Sequence, residues 1–213
     1  MKLDVLFEDL DIVVIDKPAG QVVHPAPGHE TGALTDELVR RYPSMSVVGS
    51  RERPGVVHRL DMETSGVMVF ARNQASYLNL RRQFEAHDTI EKTYLAVVHG
   101  APKTKQGTLD GPVGRDHLRA ITHWTVLAKH GPVALVEFKI ETGRMHQIRL
   151  HAAELGCPVV GDRLYGNKVK DGYLHNRPRR LLLHAVELSF LHPTTNKRVT
   201  FAAPPPADII YAG

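Results

Sequence analysis

Val57-His-Arg-Leu-Asp-Met-Glu-Thr-Ser-Gly-Val-Met-Val69 is the stretch whose reading decides the fold. Apolar residues flank a polar corner, so the chain reads as extended from Gly55 to Asp61, turning, then restarting as a buried strand from Val67 to Ala71. Gly66 permits the tight reversal. Asp61 stands at the corner, between the basic pair His58 and Arg59 and the hydroxyls of Thr64 and Ser65. On pattern alone two readings stay open. One is an Asx-type turn that caps a hairpin; the other is a carboxylate set among cations for chemistry.

Outward from this corner, Leu3 to Phe7 and Ile12 to Ile15 read as strands bounded by Glu8-Asp9 and Lys17-Pro-Ala-Gly20. Gly20 to Gly32, with Pro25 and Pro27, reads as loop. Helical spacing over Thr31 to Tyr42 stops at Pro43. Gln74 to His87 predicts the clearest amphipathic helix, with Tyr77, Leu80 and Phe84 as its apolar stripe. Ile90 to Val98 alternates and places Lys92 and Tyr94 on one face of a strand. Ala101 to Gly107 reads as a connection, followed by strands over Ile121 to Leu127 and Val133 to Ile140. Met145 to Leu155 predicts a short helix stopped by Gly156 and Pro158, with Ile148, Ala152 and Leu155 inward and His146 and Arg149 one turn apart on a neighbouring stripe. Leu181 to Leu191 and Arg198 to Ala202 complete the strands. Strands outnumber helices and join through turns, which predicts an α+β fold with a largely antiparallel or mixed sheet. No linker is evident, so residues 1–213 are expected to form one domain.

Composition excludes several classes. Apolar residues make up 42% and charged residues 23%, ordinary for a globular chain and against disorder. The longest apolar runs, such as Val133-Ala-Leu-Val-Glu-Phe138, are too short to cross a bilayer, and the first residues lack the apolar core of a signal peptide. A cytoplasmic protein is expected. The single Cys157 cannot form an internal disulfide and reads as buried packing. The net charge of +4, with basic residues bunched at Arg51/Arg53, Arg72, Arg81/Arg82, Lys168/Lys170, Arg177/Arg179/Arg180 and Lys197/Arg198, favours a polyanionic partner if those clusters converge.

Other stretches could carry chemistry. Tyr94 beside Lys92 places a phenol next to a cation, or simply packs a strand. Thr142-Gly-Arg-Met-His-Gln-Ile-Arg-Leu-His151 gathers Arg144, His146, Arg149 and His151 at a helix start. These are too many cations for a core-facing element without an anionic partner, which an aspartate such as Asp61 would supply; the alternative is a solvated basic face. Gly161-Asp-Arg-Leu-Tyr-Gly166 and Arg180-Leu-Leu-Leu-His-Ala185, taken alone, read as structural.

His58-Arg-Leu-Asp-Met-Glu-Thr-Ser-Gly66 strongly resembles the catalytic motif of the RluA-type family of pseudouridine synthases. Lys92-Thr-Tyr94, Thr142 to Arg149, Gly161 to Gly166 and Leu182-Leu-His-Ala185 resemble the family's later motifs in the expected order, from Ile15-Asp-Lys-Pro-Ala-Gly20 to Phe201-Ala-Ala-Pro204. The resemblance implies a pseudouridine synthase fold, a mainly antiparallel sheet with flanking helices and a central catalytic cleft. It implies isomerisation of uridine in ribosomal or transfer RNA after the base is flipped out. Asp61 is then the catalytic carboxylate, Arg149 its ion-pair partner and Tyr94 the group that stacks near the base and accepts the carbon-5 proton. Arg59 fills the gap left by the flipped nucleotide, and His58, Thr64, Arg144, His146 and Leu183 join it as expected substrate contacts. No cofactor or metal is implied, the partner is structured RNA (large-subunit ribosomal or transfer RNA), and a monomer is expected. Many longer relatives carry a small RNA-binding module before the catalytic domain, whereas this sequence starts at the catalytic domain's first strands. Its length is similar to that of short members acting on both RNA classes, while Val22 to Gly28 and Arg53 to His58 are similar to the ribosomal branch.

Two rival classes fit less of the sequence. A metal-dependent hydrolase fits 13 histidines, but His146 and His151 are five apart, not the four that puts two ligands on one helical face. An inert RNA-binding module explains the charge but not Asp61, Tyr94 and Arg149 in matching motifs. No phosphate-cradling Gly-Lys-Ser/Thr motif points to nucleotide chemistry.

Overall fold

A computed structural model describes residues 3–114, 117–175 and 177–210. In chain order the strands are β1 Asp4–Glu8, β2 Ile12–Lys17, β3 Gly49–Ser50, β4 Arg53–Pro54, β5 Ser65–Ala71, β6 Glu91–His99, β7 Gln106–Val113, β8 Leu118–His130, β9 Val133–Ile140, β10 Leu183–Leu191 and β11 Arg198–Ala202. The helices are α1 Leu34–Arg41, α2 Gln74–Ala86, α3 Gln147–Glu154, α4 Lys168–Tyr173 and α5 Ala207–Ile210, with a 3₁₀ turn at Pro43–Val47. The fold is mixed, with antiparallel strand pairing within each part and few helices. No helix among the described residues is long and apolar enough to cross a membrane.

The chain divides into two compact units. One comprises the residues up to Ile90 together with Glu187–Ala203; the other comprises Glu91–Val186 and the residues from Pro204 onward.

In the first unit, β2 pairs antiparallel with β1 on one side and β5 on the other, with Lys17 opposite Gly66 and Ile12 opposite Ala71. All seven residues of β5 and nearly all of β2 are buried, which is why they read as continuous apolar runs rather than alternation. The β1–β2 turn is closed by the Asp9 carboxylate, which accepts the Asp11 and Ile12 N–H groups at 2.8 Å. Asn73 caps α2 by accepting the Ser76 N–H at 2.9 Å, and the helix ends at His87 in the left-handed region. Leu80 and Phe84 of the expected stripe are buried, but Tyr77 is only half-buried. The expected extended run over residues 55–61 is a correction: only Arg53–Pro54 pair as a strand, with one further bridge from Val56 to Phe70. Gly55 turns the chain at φ 69°, where a Cβ would stand 2.5 Å from the Ala71 carbonyl oxygen. The backbone therefore docks on the end of β5 and runs on as loop.

In the second unit the strands lie in the order β6, β9, β8, β7, each antiparallel to its neighbour, with a bulge in β8 between Val126 and Ala128. Val97, Val133, Val160, Leu182 and Ile209 form one apolar core there. Strand β7 begins inside the expected connection over Ala101 to Gly107 and runs beyond it, although Gly107, Gly111 and Pro112 give it little strand propensity. Packing, not propensity, makes it a strand. Gly107 lies opposite Trp124, and a Cβ on it would fall 2.2 Å from the indole ring. Helix α3 starts two residues later than expected because His146 adopts a left-handed φ of 56° as its N-cap.

Candidate active site

Asp61 lies on the loop between β4 and β5, half-buried, and its carbonyl accepts the Thr64 N–H at 3.1 Å to close a tight turn. That turn has an unusual seat. Lys17, at the end of β2, has no solvent exposure, and its ammonium donates to the carbonyls of Pro18 at 2.8 Å, Met62 at 3.0 Å and Thr64 at 2.8 Å. The Gly20 N–H adds a second bond to the Met62 carbonyl at 2.8 Å. Three N–H donors on one ammonium are thus matched by three backbone carbonyls, which holds Met62 and Thr64, and with them the turn that starts at Asp61, in one geometry. Gly66, at φ 119°, lets the chain leave the turn into β5.

His58 and Arg59 precede the carboxylate on the same loop. The His58 ring stacks on Phe84 with centroids 4.5 Å apart, and its Nε2 accepts the Val69 N–H at 3.1 Å. Accepting at Nε2 requires its lone pair, so the ring proton sits on Nδ1. His58 therefore fastens the loop to β5 and α2, while Arg59 is exposed and Thr64 is buried.

The other sequence-predicted residues belong to the second unit. Arg149 on α3 is buried and clasps Asp162 in a bidentate fork, Nε to Oδ2 at 2.7 Å and Nη2 to Oδ1 at 2.8 Å. The Asp162 side chain has no exposure, and its Oδ1 also accepts the N–H groups of Leu164 at 2.9 Å and Tyr165 at 3.0 Å. Burial pushes the Asp162 carboxyl up, but the Arg149 bonds, the two backbone bonds and the Arg149 charge outweigh it and hold the acid below its ordinary value. Asp162, on the turn read from sequence as structural, is thus one anionic partner of this inward-facing arginine.

That turn brings Tyr165 over Arg149, with the guanidinium carbon 5.2 Å from the ring centroid, and its hydroxyl lies 3.0 Å from His146 Nδ1. Gln147 pins the helix start. Its side-chain oxygen accepts the Thr142 hydroxyl at 2.7 Å and the Arg144 N–H at 3.0 Å, while its nitrogen donates to the Ile121 carbonyl and Thr122 hydroxyl at 2.9 Å. Arg144 is half-buried and donates through Nε to the Arg119 carbonyl at 3.2 Å. Tyr94 is buried on β6 opposite Phe138, and Leu183 is buried at the start of β10. Lys92, two residues before Tyr94, donates to the Thr142 carbonyl at 2.9 Å. Burial, aided by the Arg144 charge, pushes its ammonium down to about 8. His151 is also buried; its Nδ1 lies 2.8 Å from the Thr122 hydroxyl, and burial lowers its pKa against a weaker pull from Glu154.

The structure thus places His58, Arg59, Asp61 and Thr64 on one loop of the first unit, and Tyr94, Arg144, His146, Arg149 and Leu183 in the second. Sequence reading missed Lys17, Gln147 and Asp162. A signal existed for two of them: a lysine ending an apolar strand before Pro18, and an acid within Gly161 to Gly166.

One group of side chains, Asp9, Asp11 and His192, stands close enough to share a cation. Its oxygens are already committed. Asp9 Oδ2 lies 2.9 Å from His192 Nε2, and Asp11 accepts from Asn73, Ser76 and Thr194. These bonds, the Thr194 hydroxyl first, hold Asp11 below its ordinary pKa despite partial burial. The cluster staples the β1–β2 turn to α2 and to the turn after β10.

Comparison with known proteins adds the family. Residues 11–154 match the family described as RNA pseudouridylate synthase. An uncharacterised RNA pseudouridine synthase of Synechocystis is 40% identical over 220 residues, covering 96% of this chain and 66% of that protein. The ribosomal large subunit pseudouridine synthase D of Xanthomonas campestris is 41% identical, over 97% of this chain and 67% of its own length. Among solved structures, human RNA pseudouridylate synthase domain containing 4 superposes with a TM-score of 0.79 at 26% identity, covering 98% of this chain and 91% of that one. With a family match over most of its length and relatives at this identity, the chain belongs to the RNA pseudouridylate synthase family, of the RluA type its motifs resemble.

Proposed function

We propose that this chain isomerises uridine to pseudouridine in structured RNA, with Asp61 as the catalytic carboxylate and large-subunit ribosomal RNA as the substrate. The bond from ribose carbon 1′ to the ring nitrogen breaks, the uracil turns, and carbon 1′ rejoins carbon 5. The proton on carbon 5 is lost and one is returned to the nitrogen. Atoms and charge balance without oxidant or energy input, so a positioned carboxylate and a proton acceptor suffice. Asp61 either attacks the nucleoside or removes the proton that starts glycal formation; both routes need it ionised and aimed.

The observation that carries this reading is the seat of Asp61. A buried ammonium satisfied by three carbonyls, with His58 locked on Phe84, rigidifies a loop whose acid is left half-buried. Pre-set geometry of this kind is what catalysis by position requires. In this reading Arg149 is the ion-pair partner that the family resemblance implies for Asp61. The Asp162 fork engages Nε and Nη2 of a group carrying five N–H donors, so it orients the guanidinium without exhausting it. Tyr94 takes the carbon-5 proton. The target base leaves its stack first, because its glycosidic bond is inaccessible inside a helix; this costs a few kcal/mol, less in a loop. The large-subunit assignment is supported by the name of the Xanthomonas campestris relative.

The test is tritium release from RNA labelled at carbon 5 of uridine, run on separate ribosomal and transfer RNA pools. Release from large-subunit RNA is expected. Release from transfer RNA alone moves the substrate, and release from neither, with an active control enzyme, contradicts the reading.

A further inference from the structure

Beside the Asp61 turn the first unit carries a groove of about 320 Å³, lined by His24, Arg53, Arg59, Tyr77 and Arg81. One wall is residues 56–59, the stretch leading into Asp61. Three guanidiniums there stand against a single lining carboxylate, Glu52. Arg81 is steadied by Glu85 on its own helix, through Nε at 3.1 Å, and Arg53, Arg59 and Arg81 are all exposed.

The aromatic wall is rigid. Tyr77 packs on Gly49 so closely that a Cβ there would stand 2.6 Å from the ring, and the Gly49 N–H donates to Gln74 at 2.8 Å. These contacts tie the β3–β4 hairpin to α2 and explain why Tyr77 is half-buried although the helix needs only Leu80 and Phe84 for its core. A divalent cation would find one carboxylate, and an apolar ligand would find arginines. A planar ring among guanidiniums, in a space at the low end of the roughly 300–1,000 Å³ of ligand pockets, fits one nucleotide rather than a duplex.

We propose that this groove holds one nucleotide of single-stranded RNA flanking the reacting uridine, its phosphate on Arg53 and Arg81 and its base against Tyr77. The inference rests on Asp61 as the reacting carboxylate, because the groove's wall is the approach to that residue.

The test uses the full chain, a fluorescent single-stranded uridine-containing RNA, and the variants Arg53→Ala, Arg81→Ala and Tyr77→Leu, with thermal melts to confirm folding. Each variant should bind about fivefold or more weakly at 100 mM salt, with a matching rise in KM and an unchanged kcat. Each arginine variant should also flatten the plot of log affinity against log salt by about 0.7. Affinity and slope equal to wild type in all three folded variants overturn the proposal. So does competition of uridine monophosphate or inorganic phosphate with the RNA at micromolar concentration, which identifies a free-nucleotide or phosphate site instead. Weakened binding by the variants of a wild type that isomerises nothing upholds the groove and sinks the catalytic reading alone.

Discussion

Replacing Asp162 tests whether the fork on Arg149 is a stability element, a positioning element or both. Asp162→Ala removes four accepted bonds at once: Arg149 Nε and Nη2, and the N–H groups of Leu164 and Tyr165. The pair is buried, with side-chain exposures of 8% for Arg149 and 0% for Asp162, so the guanidinium has little access to solvent to offset the lost acceptor. Removing one partner of such a buried pair costs about 3–5 kcal/mol, a large part of the roughly 5–15 kcal/mol that stabilises a typical domain. Asp162→Asn keeps the shape and one oxygen but not the charge, and should lose about 2 kcal/mol while staying folded. Its kcat should fall roughly a hundredfold, the effect of about 1 Å of misplacement, with KM for RNA held within about twofold. Urea unfolding monitored by circular dichroism, with tritium release on the same samples, reads both effects. The pair Arg149→Met with Asp162→Leu closes a double-mutant cycle and should recover much of the stability lost by either change, but no activity. A stability loss under about 1 kcal/mol for Asp162→Ala, or an unchanged kcat for Asp162→Asn, refutes the reasoning.

Three further outcomes follow from buried charges. Lys17→Met leaves the Pro18, Met62 and Thr64 carbonyls without their ammonium donor; it should lower unfolding free energy by about 3 kcal/mol or more in urea titrations, and a loss under about 1 kcal/mol would show that the turn does not depend on it. Asp16, paired across β1–β2 with Asp4, has its carboxyl pushed up to about 6 by burial and by Asp4, against Lys17. Its folded pKa lies above the unfolded one, so its stability contribution is present below pH 4 and lost as pH rises through 6; Asp16→Asn should be more stable than wild type at pH 7.5 and nearly equal at pH 4, and equal stabilities at both refute this. Lys92 is shifted the other way, down to about 8, so the fold favours the neutral amine and stability should climb from pH 8 towards 10.5 in wild type but not in Lys92→Met; parallel pH profiles for the two chains would refute the shift.

Much of the fold could be read from local pattern. Strands β9 and β11 have the expected bounds because each is an apolar or alternating run closed by turn residues. The Asp61 corner was legible as a polar turn between apolar flanks. What holds that corner was not, because Lys17 lies 45 residues before Met62 and 47 before Thr64, and the burial of an ammonium under three carbonyls is a tertiary event. Asp162 was legible as a turn residue, which it is, through its bonds to Leu164 and Tyr165. Its fork with Arg149 depends on how α3 packs on that turn and leaves no local trace. Strand β7 was illegible for a related reason: Gly107 weakens β-propensity, yet only glycine fits against Trp124. The two units were hidden because they interleave. Glu187–Ala203 returns to the first unit without a linker, and the boundary at Val186 falls inside β10.

The most direct test of the central claim is single-turnover isomerisation by Asp61→Asn on the RNA that wild type modifies, with affinity measured on the same preparation. RNA binding within about twofold of wild type is expected, since the Lys17 seat engages backbone carbonyls that asparagine preserves, with pseudouridine formation at background. Pseudouridine formed by Asp61→Asn at a rate near that of wild type would contradict it.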